Sequence, residues 1–381
     1  MKKIQIYEQA LKEVFTYEET RDYSLDRIVE AMKLLWNPLK DIKVIHIAGT
    51  NGKGSTSRMI FSVLRQAWKK VGTYNQPHLK DIRERFLTDT WMISKQQFVD
   101  ILNKLLELPL TFSYFEQTTL ISFLFFQLKS VEYAIIEVGF WWLLDSTNVV
   151  NPEITCITSI GFDHTKILWD TLEEISFQKA GIIKSGIPIV YNHENTVIKN
   201  IAEERNAPII FTDRKVQTNL LWEYQQRNAG LAWEICKYFC ISEEDIKRWL
   251  QTVEHRGRLQ YLENNLLIDG AHNRDGLQEL KKYIDSIEQN FTDIYYCFSL
   301  KHDKSSKLIT DTFGKDKKYI LIEGHHELLE KTDTLKKEMY ENKISDIEIL
   351  TPEQIKKRQC REKNSLYIVF GSLYMIGDFY E

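Results

Sequence analysis

The stretch Val44–Thr56, which reads VIHIAGTNGKGST, decides the fold of this chain. Its first five residues form a nearly apolar run, typical of a buried strand, and a helical pattern follows from about Thr56 to Lys70. The glycines between them let backbone N–H groups close on an anion, and the helix N-terminus adds a partial positive charge. The order of strand, glycine turn, lysine, hydroxyl and helix therefore predicts a phosphate-binding loop at Gly49–Ser55.

This loop matches the general pattern GxxxxGK[ST] imperfectly. Gly49 lies too close to Lys53, and Gly54 separates Lys53 from Ser55. The context still favours a nucleotide site, with Lys53 at the β- and γ-phosphates and a Ser or Thr hydroxyl facing Mg²⁺. An ordinary glycine-rich turn between a strand and a helix is the alternative.

Apolar runs alternate with helical patterns on the C-terminal side of this loop, which predicts a parallel α/β sheet. Further strands are expected at 133–138, 155–160, 187–191 and 208–211. The polar segment 254–258 suits a hinge, and the pattern then restarts with a hairpin at 259–269. Four more strands are expected at 294–298, 319–323, 347–350 and 366–370. We therefore expect an α/β domain at residues 1–254 and a second, smaller α/β domain at 258–381.

The composition excludes several classes of protein. The 381 residues carry 50 Lys and Arg against 54 Asp and Glu, and the net charge of −4 gives no general attraction to nucleic acid or anionic lipid. Hydrophobic residues at 43% and charged residues at 27% exclude general disorder. The chain has no apolar run of membrane-spanning length, no signal-peptide core, and five cysteines without a CxxC pair. We expect a cytoplasmic protein without a nucleic-acid or membrane partner.

Two residues beyond strand ends suggest a metal site. Glu137 ends the predicted strand 133–138, and His164 follows the strand 155–160. Side chains at the carboxyl ends of parallel strands point into the crevice where ligands bind. Each alone is more typical of a structural residue, but together, beside a phosphate loop, they favour a metal role. From spacing alone, Lys179 is a solvated helix lysine, and Asp269–Asn273 is a turn with a helix cap.

Taken together and in order, these segments resemble the folylpolyglutamate synthase/dihydrofolate synthase family of Mur-ligase-like, ATP-dependent amide ligases. The resemblance is carried by eleven segments: His46–Ser55, Pro77–Leu79 with Arg83–Arg85, Tyr114–Glu116, Glu137–Gly139, Asp145 with Thr147–Val149, Asp163–Thr165, Asp170–Ile175, Lys179–Lys184, Gly257–Leu259, Asp269–Asn273 and Gly371–Tyr374.

The resemblance implies a P-loop domain of Mur-ligase type followed by a smaller Rossmann-like domain, with the active site in the cleft between them. It implies a ligase that adds L-glutamate to the carboxylate of a folate or dihydropteroate through an acyl phosphate, with ATP and Mg²⁺ as cofactors. A Mur-type ligase with a different acceptor is a less favoured alternative. We expect the chain to act as a monomer.

The resemblance also assigns roles to individual residues. Those implied to hold ATP are Gly49, Thr50, Asn51, Gly52, Lys53, Gly54, Ser55, Asn228, Arg258 and Asp269. Those implied to bind Mg²⁺ are Ser55, Gln76, Glu137 and His164. The implied catalytic residues are Lys53, His272 and Lys179, the last carried as a carbamate. The implied substrate residues are Ser372 on the glutamate side and Arg27, Tyr114, Glu116 and Leu144 near the pterin site.

Several positions depart from the family pattern. The usual glycine pair and arginine after Glu137 are replaced by Trp141-Trp142-Leu143, and the glycine before Asp170 by Trp169. Gln76 replaces a metal-binding serine, and Arg256 replaces a proline. Three readings stay open: a repacked turn without consequence, an altered substrate pocket, or weakened or lost catalysis in a relative that only binds nucleotide or folate.

Overall fold

The computed structural model describes residues 4–16, 24–139, 143–162, 171–324 and 326–380. Its first sheet has seven strands in the spatial order β3-β2-β4-β1-β5-β6-β7, all parallel except β3. These strands are β1 Lys43–Ala48, β2 Val71–Tyr74, β3 Phe86–Thr88, β4 Tyr133–Glu137, β5 Ile154–Ile157, β6 Ile189–Tyr191 and β7 Ile209–Phe211.

Helices cover both faces of this sheet. They are α1 Tyr7–Thr16, α2 Asp26–Leu34, α3 Lys53–Gln66, α4 Lys95–Leu106, α5 Tyr114–Leu128, α6 Leu172–Lys179, α7 Thr196–Glu204, α8 Glu223–Tyr238 and α9 Glu243–Trp249. Neighbouring residues of one strand face opposite layers, as strand geometry requires. Ile135 packs with α3 and α8, and Ile136 packs with α4 and α5.

The second sheet has six strands in the order β12-β11-β10-β13-β9-β8, parallel except for the hairpin strand β8. Its strands are β8 Gln260–Glu263, β9 Leu266–Ile268, β10 Asp293–Phe298, β11 Lys318–Ile322, β12 Ile347–Leu350 and β13 Ser365–Phe370. Its helices are α10 Arg274–Ile287, α11 Ser306–Phe313, α12 Thr332–Glu341, α13 Pro352–Arg361 and α14 Leu373–Ile376. The prediction of an α/β chain with a larger and a smaller parallel sheet is confirmed.

Most predicted strands form within two residues of their expected bounds, and two were not predicted. β2 and β3 have four and three residues, and so short a run leaves little periodicity to read. α3 begins at Lys53 rather than near Thr56, because Gly52 adopts φ +87° and acts as its N-cap. The helix therefore starts inside the glycine loop.

In the part of the chain that the structure describes, no helix is both long enough and apolar enough to cross a membrane. The division into domains at 254 and 258 remains our proposal. It falls between the last helical turn that packs on the first sheet, Leu250–Thr252, and the first strand of the second, β8.

Candidate active site

A cleft of about 1590 Å³ lies between the two sheets, and both contribute residues to its wall. From the first sheet come the glycine loop after β1 and the end of β4, which are adjacent because Ile47 pairs with Glu137. From the second sheet come the turns after β9 and β13. Carboxyl ends of parallel strands from two sheets thus meet in one place, where open α/β sheets bind ligands.

The glycine loop is fixed by the segment that follows β5. Thr50 N donates to Ser159 O at 2.8 Å, and Asn51 N donates to Ser159 Oγ at 2.9 Å. Thr158 Oγ1 donates to Asn51 O at 2.6 Å. The loop backbone is therefore held in place before any ligand arrives, which is what an anion cradle needs.

Gly52 marks the closest approach between this loop and helix α8. A Cβ at Gly52 would lie 2.5 Å from Asn228 Oδ1, and the φ of +87° disfavours any other residue. Asn228 is itself held by a hydrogen bond from its Nδ2 to Gln225 Oε1 at 3.1 Å. The structure thus places Asn228, a nucleotide contact implied by the resemblance, directly against the glycine loop.

Lys53 lies at the mouth of the loop. Its Nζ donates to Gly49 O at 2.9 Å and to Thr50 O at 3.3 Å. Gly49 does not line the cleft, whereas Thr50 and the five residues that follow it, as far as Ser55, all do. The ammonium group therefore lies beside the surface that would receive phosphate oxygens.

Glu137 presents a carboxylate to the cleft although only 3% of the residue is exposed. Its Oε2 accepts hydrogen bonds from Asn75 Nδ2 at 2.9 Å and from Gln76 N at 3.2 Å. Within the described ranges, no protein donor bonds to its Oε1. A buried hard oxygen beside the phosphate loop and the hydroxyl of Ser55 fits the donor preference of Mg²⁺.

The other two predicted metal ligands differ from this arrangement. Gln76 uses its side-chain amide within the protein: Nε2 donates to Tyr74 Oη at 3.0 Å, and Oε1 accepts from Arg85 Nη1 at 3.3 Å. His164 lies outside the described residues, as do Trp141, Trp142 and Trp169. Among the described residues there is no cluster of three or more His, Cys, Asp or Glu suited to a metal.

The second domain contributes Asp269 to the cleft. Its carboxylate accepts backbone hydrogen bonds from Leu259 at 2.7 Å and Ala271 at 2.8 Å, so it pins two turns together. Burial raises the pKa of Asp269, while Arg258 and these hydrogen bonds favour the charged form. Asp269 thus links the segment at Leu259 to the turn after β9, within the electrostatic influence of Arg258.

A reciprocal amide pair joins the two domains across the cleft. Asn273 Nδ2 donates to Asn51 Oδ1 at 3.0 Å, and Asn51 Nδ2 approaches Asn273 Oδ1 at 3.3 Å. His272 Nδ1 lies 2.7 Å from Gly270 O, which orients its ring. Ser372 is 3% exposed, and its Oγ has no hydrogen-bond partner among the described residues. A ligand group is the natural partner for a buried hydroxyl that lines a cleft.

Lys179 lies at the end of α6 and is fully buried, which corrects the expectation from spacing that it is solvated. It does not line the cleft. Leu143, in place of the family arginine, packs on Gly181 and has its carbonyl oxygen held by Asn148 Nδ2 at 2.9 Å. This departure therefore repacks the turn after β4 with an apolar contact.

The pterin-side residues are only partly brought to the cleft. Tyr114 lines it, but Arg27, Glu116 and Leu144 do not. Arg27 Nε donates to Glu116 Oε1 at 3.3 Å, and Glu116 also completes the N-terminal cap of α5 with Ser113. Leu144 is 46% exposed. Their substrate role stays a prediction, and the ion pair gives two of them a structural role as well.

Sequence reasoning missed a polar network beside Tyr114. Arg85 is 3% exposed, lies over the Tyr114 ring at 5.5 Å and donates from Nε to His78 Nδ1 at 3.0 Å. Burial and Arg85 lower the pKa of His78 to about 3. Across the cleft, the His78 ring meets Tyr374 edge-on at 5.6 Å. His78 and Arg85 lie in segments that resemble the family, but only the structure shows which residues each of them contacts.

Asn75, which holds Glu137, was also missed. It directly follows β2, a strand too short to be predicted. A polar residue after a strand end is a usable signal only once the strand is known.

The comparisons with known proteins reported below agree on one family. Residues 47–247 match the Mur ligase middle domain. The chain is 34% identical over 329 residues to the dihydrofolate synthase/folylpolyglutamate synthase of Bacillus subtilis, covering 74% of this chain and 76% of that protein.

Solved structures agree. The chain is similar to folylpolyglutamate synthase from Thermotoga maritima, with a TM-score of 0.81 and 26% identity over 97% of this chain and 95% of that one. It is also similar to a Yersinia pestis bifunctional folylpolyglutamate synthase/dihydrofolate synthase complexed with AMPPNP and a Mn ion. That TM-score is 0.87 at 21% identity, with 99% of this chain and 98% of the other covered, and it shows the shared fold.

Proposed function

The chain belongs to the folylpolyglutamate synthase/dihydrofolate synthase family, and on that premise we propose that it joins L-glutamate to the carboxylate of a folate or of dihydropteroate, with cleavage of ATP to ADP and phosphate. We further propose Mg²⁺ as its divalent ion, a monomeric state and a cytoplasmic location. The five cysteines are all free thiols, in keeping with a reducing compartment.

One observation carries the proposal: the glycine loop of the first domain and the Asp269–Asn273 turn of the second face each other across one cleft. The Asn51–Asn273 amide pair sets their separation. A ligase that activates a carboxylate and then couples it to an amine must hold three substrates together. A cleft with a phosphate loop on one wall and a second polar turn on the other suits this task.

In the first step, an oxygen of the acceptor carboxylate attacks the γ-phosphorus of ATP, and the bond to the ADP oxygen breaks. Negative charge then accumulates on oxygens that already repel one another. Lys53 can exchange its two carbonyl partners for these phosphate oxygens, and the loop N–H groups add fixed dipoles. Burial in the cleft strengthens each of these interactions.

Bound Mg²⁺ would neutralise phosphate oxygens in this step. Glu137 and Ser55 are the described residues best suited to hold it, and Gln76 and His164 remain candidates. Asn75 positions Glu137 by donating to Oε2, the oxygen that would lie 3.6 Å from a Cβ at Gly54 of the glycine loop.

In the second step, the amine nitrogen of glutamate bonds to the acyl carbon, phosphate leaves with its bridging oxygen, and one N–H proton is released. Ser372 offers a buried hydroxyl to a carboxylate of the incoming amino acid. His272, oriented by Gly270 O, lies on the same wall. Water must be kept from the activated carboxyl group in this step, because it would otherwise hydrolyse it.

The direct test is turnover. The purified protein incubated with ATP, Mg²⁺, labelled L-glutamate and either tetrahydrofolate or dihydropteroate should release ADP and yield a product longer by one glutamate. A matched incubation without the acceptor should release no ADP above background. Absence of ADP with both acceptors would overturn the proposal.

The metal assignment has a test of its own. Glu137→Gln keeps the shape of the side chain but removes its charge, so the Mg²⁺ concentration for half-maximal activity should rise about tenfold or more. Glu132→Gln, a change outside the cleft on the loop before β4, is the control and should leave it unchanged. An unaltered Mg²⁺ dependence in Glu137→Gln would remove Glu137 from the metal site.

A second candidate, a relative that binds ligand without turnover, is favoured by one observation. The Gln76 amide is already bonded at both ends, to Tyr74 and Arg85. Calorimetry that detects nucleotide binding without ADP release, with turnover restored by replacing Trp141, Trp142 and Leu143 by Gly, Gly and Arg, would support this candidate. Turnover by the natural protein would exclude it.

A further inference from the structure

Three tryptophans stand out on the surface far from the cleft. Trp36, Trp68 and Trp91 are 88%, 95% and 83% exposed, and the other tryptophans among the described residues are buried or partly buried. Trp rings bury large areas when they find a partner, so three together in water indicate an interaction surface.

The topology brings all three to one side of the first sheet, the amino edge, where its parallel strands begin. Trp36 lies in the connection into β1, and Trp68 lies in the connection into β2. Trp91 follows β3, which runs antiparallel to β2, so β3 ends where β2 begins. A hydrogen bond from Asp89 N to Val71 O at 2.8 Å joins these two ends. Leu128, 57% exposed, ends the helix before β4.

These strands are neighbours in the order β3-β2-β4-β1, so the aromatic and apolar side chains are presented along one edge. The cleft lies at the opposite, carboxyl edge. A partner at the amino edge would leave the cleft accessible.

The backbone at two of these positions does not favour tryptophan. Trp36 and Trp68 have φ of +57° and +59°, immediately after α2 and α3. Glycine or asparagine is the usual residue at such a helix end, because other side chains strain the left-handed conformation. Neither ring is used in packing, since both are almost fully exposed. Packing and backbone preference therefore do not account for these two residues.

The charge of the amino edge differs from that of the whole chain. Its four connections and the first residue of β1 together carry five lysines against three carboxylates, whereas the chain as a whole is at −4. The lysines are Lys40, Lys43, Lys69, Lys70 and Lys129, and the carboxylates are Asp41, Asp89 and Glu132. A groove of about 660 Å³ opens there, lined by Trp36, by Lys40, Lys43 and Lys69, and by the carboxylates Asp41 and Glu132. No arginine occurs in these connections.

We propose that the amino edge, defined by Trp36, Trp68, Trp91, Leu128 and the five lysines, docks the protein on an anionic phospholipid membrane. Tryptophan beside a cluster of basic side chains is a composition typical of a membrane–water interface, where rings lie at headgroup depth and ammonium groups meet lipid phosphates. Protein–protein interfaces instead favour arginine and are poor in lysine. The proposal departs from the expectation of no membrane partner, which rested on the net charge of −4 for the whole chain, because the basic side chains of the amino edge outnumber its carboxylates.

The test compares sedimentation of the full-length protein with vesicles of phosphatidylcholine alone and with vesicles containing phosphatidylglycerol. Binding should require phosphatidylglycerol and weaken as salt is added. Trp36→Asn, Trp68→Asn and Trp91→Ser combined should weaken binding about tenfold or more. Asparagine tolerates the positive φ, so this variant should fold and retain wild-type ADP release.

The matched control is Phe211→Ser with Tyr340→Ser, which removes two exposed aromatic rings outside the amino edge and should leave vesicle binding unchanged. Quenching of tryptophan fluorescence by brominated lipid should be seen in the natural protein and fall in the triple variant. Absence of binding to phosphatidylglycerol vesicles at low salt overturns the proposal. So does binding that persists in the triple variant, or a dimer in light scattering that the triple variant abolishes, which would assign the surface to a second copy of the chain.

Discussion

The proposed phosphate side and the proposed pterin side of the cleft are built in different ways. On the phosphate side, Gly49–Ser55 is one continuous loop whose backbone hydrogen bonds hold it against the segment after β5. On the pterin side, Tyr114 lines the cleft while Arg27 and Glu116 bond to each other. Here the side chains come from helices far apart in sequence.

The difference teaches which kind of site a sequence can reveal. A phosphate site made of backbone N–H groups needs glycines at fixed spacing, so it leaves a local pattern. A pocket for a pterin ring is made of side chains whose partners are set by packing, and each has other possible partners nearby. The same argument predicts that changes on the phosphate side have the larger effects on activity.

The largest effect is expected from Lys53→Ala. Removing a comparable electrostatic group costs about 2.7–4 kcal/mol in activation free energy, or about a hundredfold to a thousandfold in ADP release. Lys104→Ala, at an exposed position of α4, is the control and should keep full activity. Near wild-type turnover by Lys53→Ala would show that the loop is not the phosphate site, and the contrast between the two sides would be lost.

A smaller effect is expected from Gly52→Ala, with Gly54→Ala as its matched control. At Gly52 a Cβ would lie 2.5 Å from Asn228 Oδ1 with φ at +87°, whereas at Gly54 the nearest atom would be 3.5 Å away. The left-handed conformation alone costs about 1–2 kcal/mol. Nucleotide affinity by calorimetry and the unfolding midpoint should both fall in Gly52→Ala. Equal unfolding midpoints of the two variants would contradict the steric account.

The strand that feeds the phosphate loop should make stability depend on pH. His46 in β1 is fully buried, its Nε2 lies 2.9 Å from Thr147 Oγ1, and burial lowers its pKa to about 3. Below a pH of about 6.5 the unfolded chain binds a proton that the folded chain does not, so stability falls as the pH decreases. The loss is at most about 1.4 kcal/mol per pH unit between 6.5 and 3.

Urea unfolding at several pH values measures this slope. His46→Gln should reduce the slope, because glutamine does not titrate. His302, an exposed histidine whose pKa is raised by hydrogen bonds to the Glu327 carbonyl and Glu330, provides the control. His302→Gln should not flatten the acid slope. An unchanged slope in His46→Gln would assign the acid sensitivity to other groups.

The smallest effect is expected on the pterin side, from Arg27→Ala. The pair with Glu116 is partly exposed at Arg27, so its loss should cost about 1 kcal/mol or less in stability. Glu116→Gln should behave alike, since glutamine can still complete the helix cap of α5. A rise in KM for the acceptor without any change in stability would instead give Arg27 the substrate role that the resemblance implies, and the two sides would then be alike.

The gains and failures of sequence reasoning follow the same division. The loop, the alternation of strands and helices, and the strand end bearing Glu137 were predicted because each depends on neighbours in sequence. Asn75 and the Arg85–His78 network were not, because each depends on contacts made by a short or irregular segment. Lys179 was misplaced from spacing alone, since a helix pattern does not tell which side another element covers.

The departures from the family pattern could be read from the sequence, but the contacts that accommodate them could not. Arg256, where a proline is usual, lies over the Tyr380 ring at 5.4 Å, and Tyr380 Oη accepts a hydrogen bond from Gly257 N at 2.7 Å. Tyr380 thus contacts both Arg256 and Gly257 of the hinge, at the place where the usual proline would restrict the backbone. Leu143 is likewise explained by its contact with Gly181.

By itself, the sequence determined the architecture and the position of the glycine loop, because these follow from periodicity and from glycine and lysine at fixed spacing. Its resemblance to one family was carried by eleven segments in order. Only the tertiary structure decided which polar groups face one another: Asn51 with Asn273, Asn75 with Glu137, Arg27 with Glu116. It alone placed Trp36, Trp68 and Trp91 on one edge. The physical reason is that side-chain partners are chosen by packing between segments distant in sequence, and no local pattern records that choice.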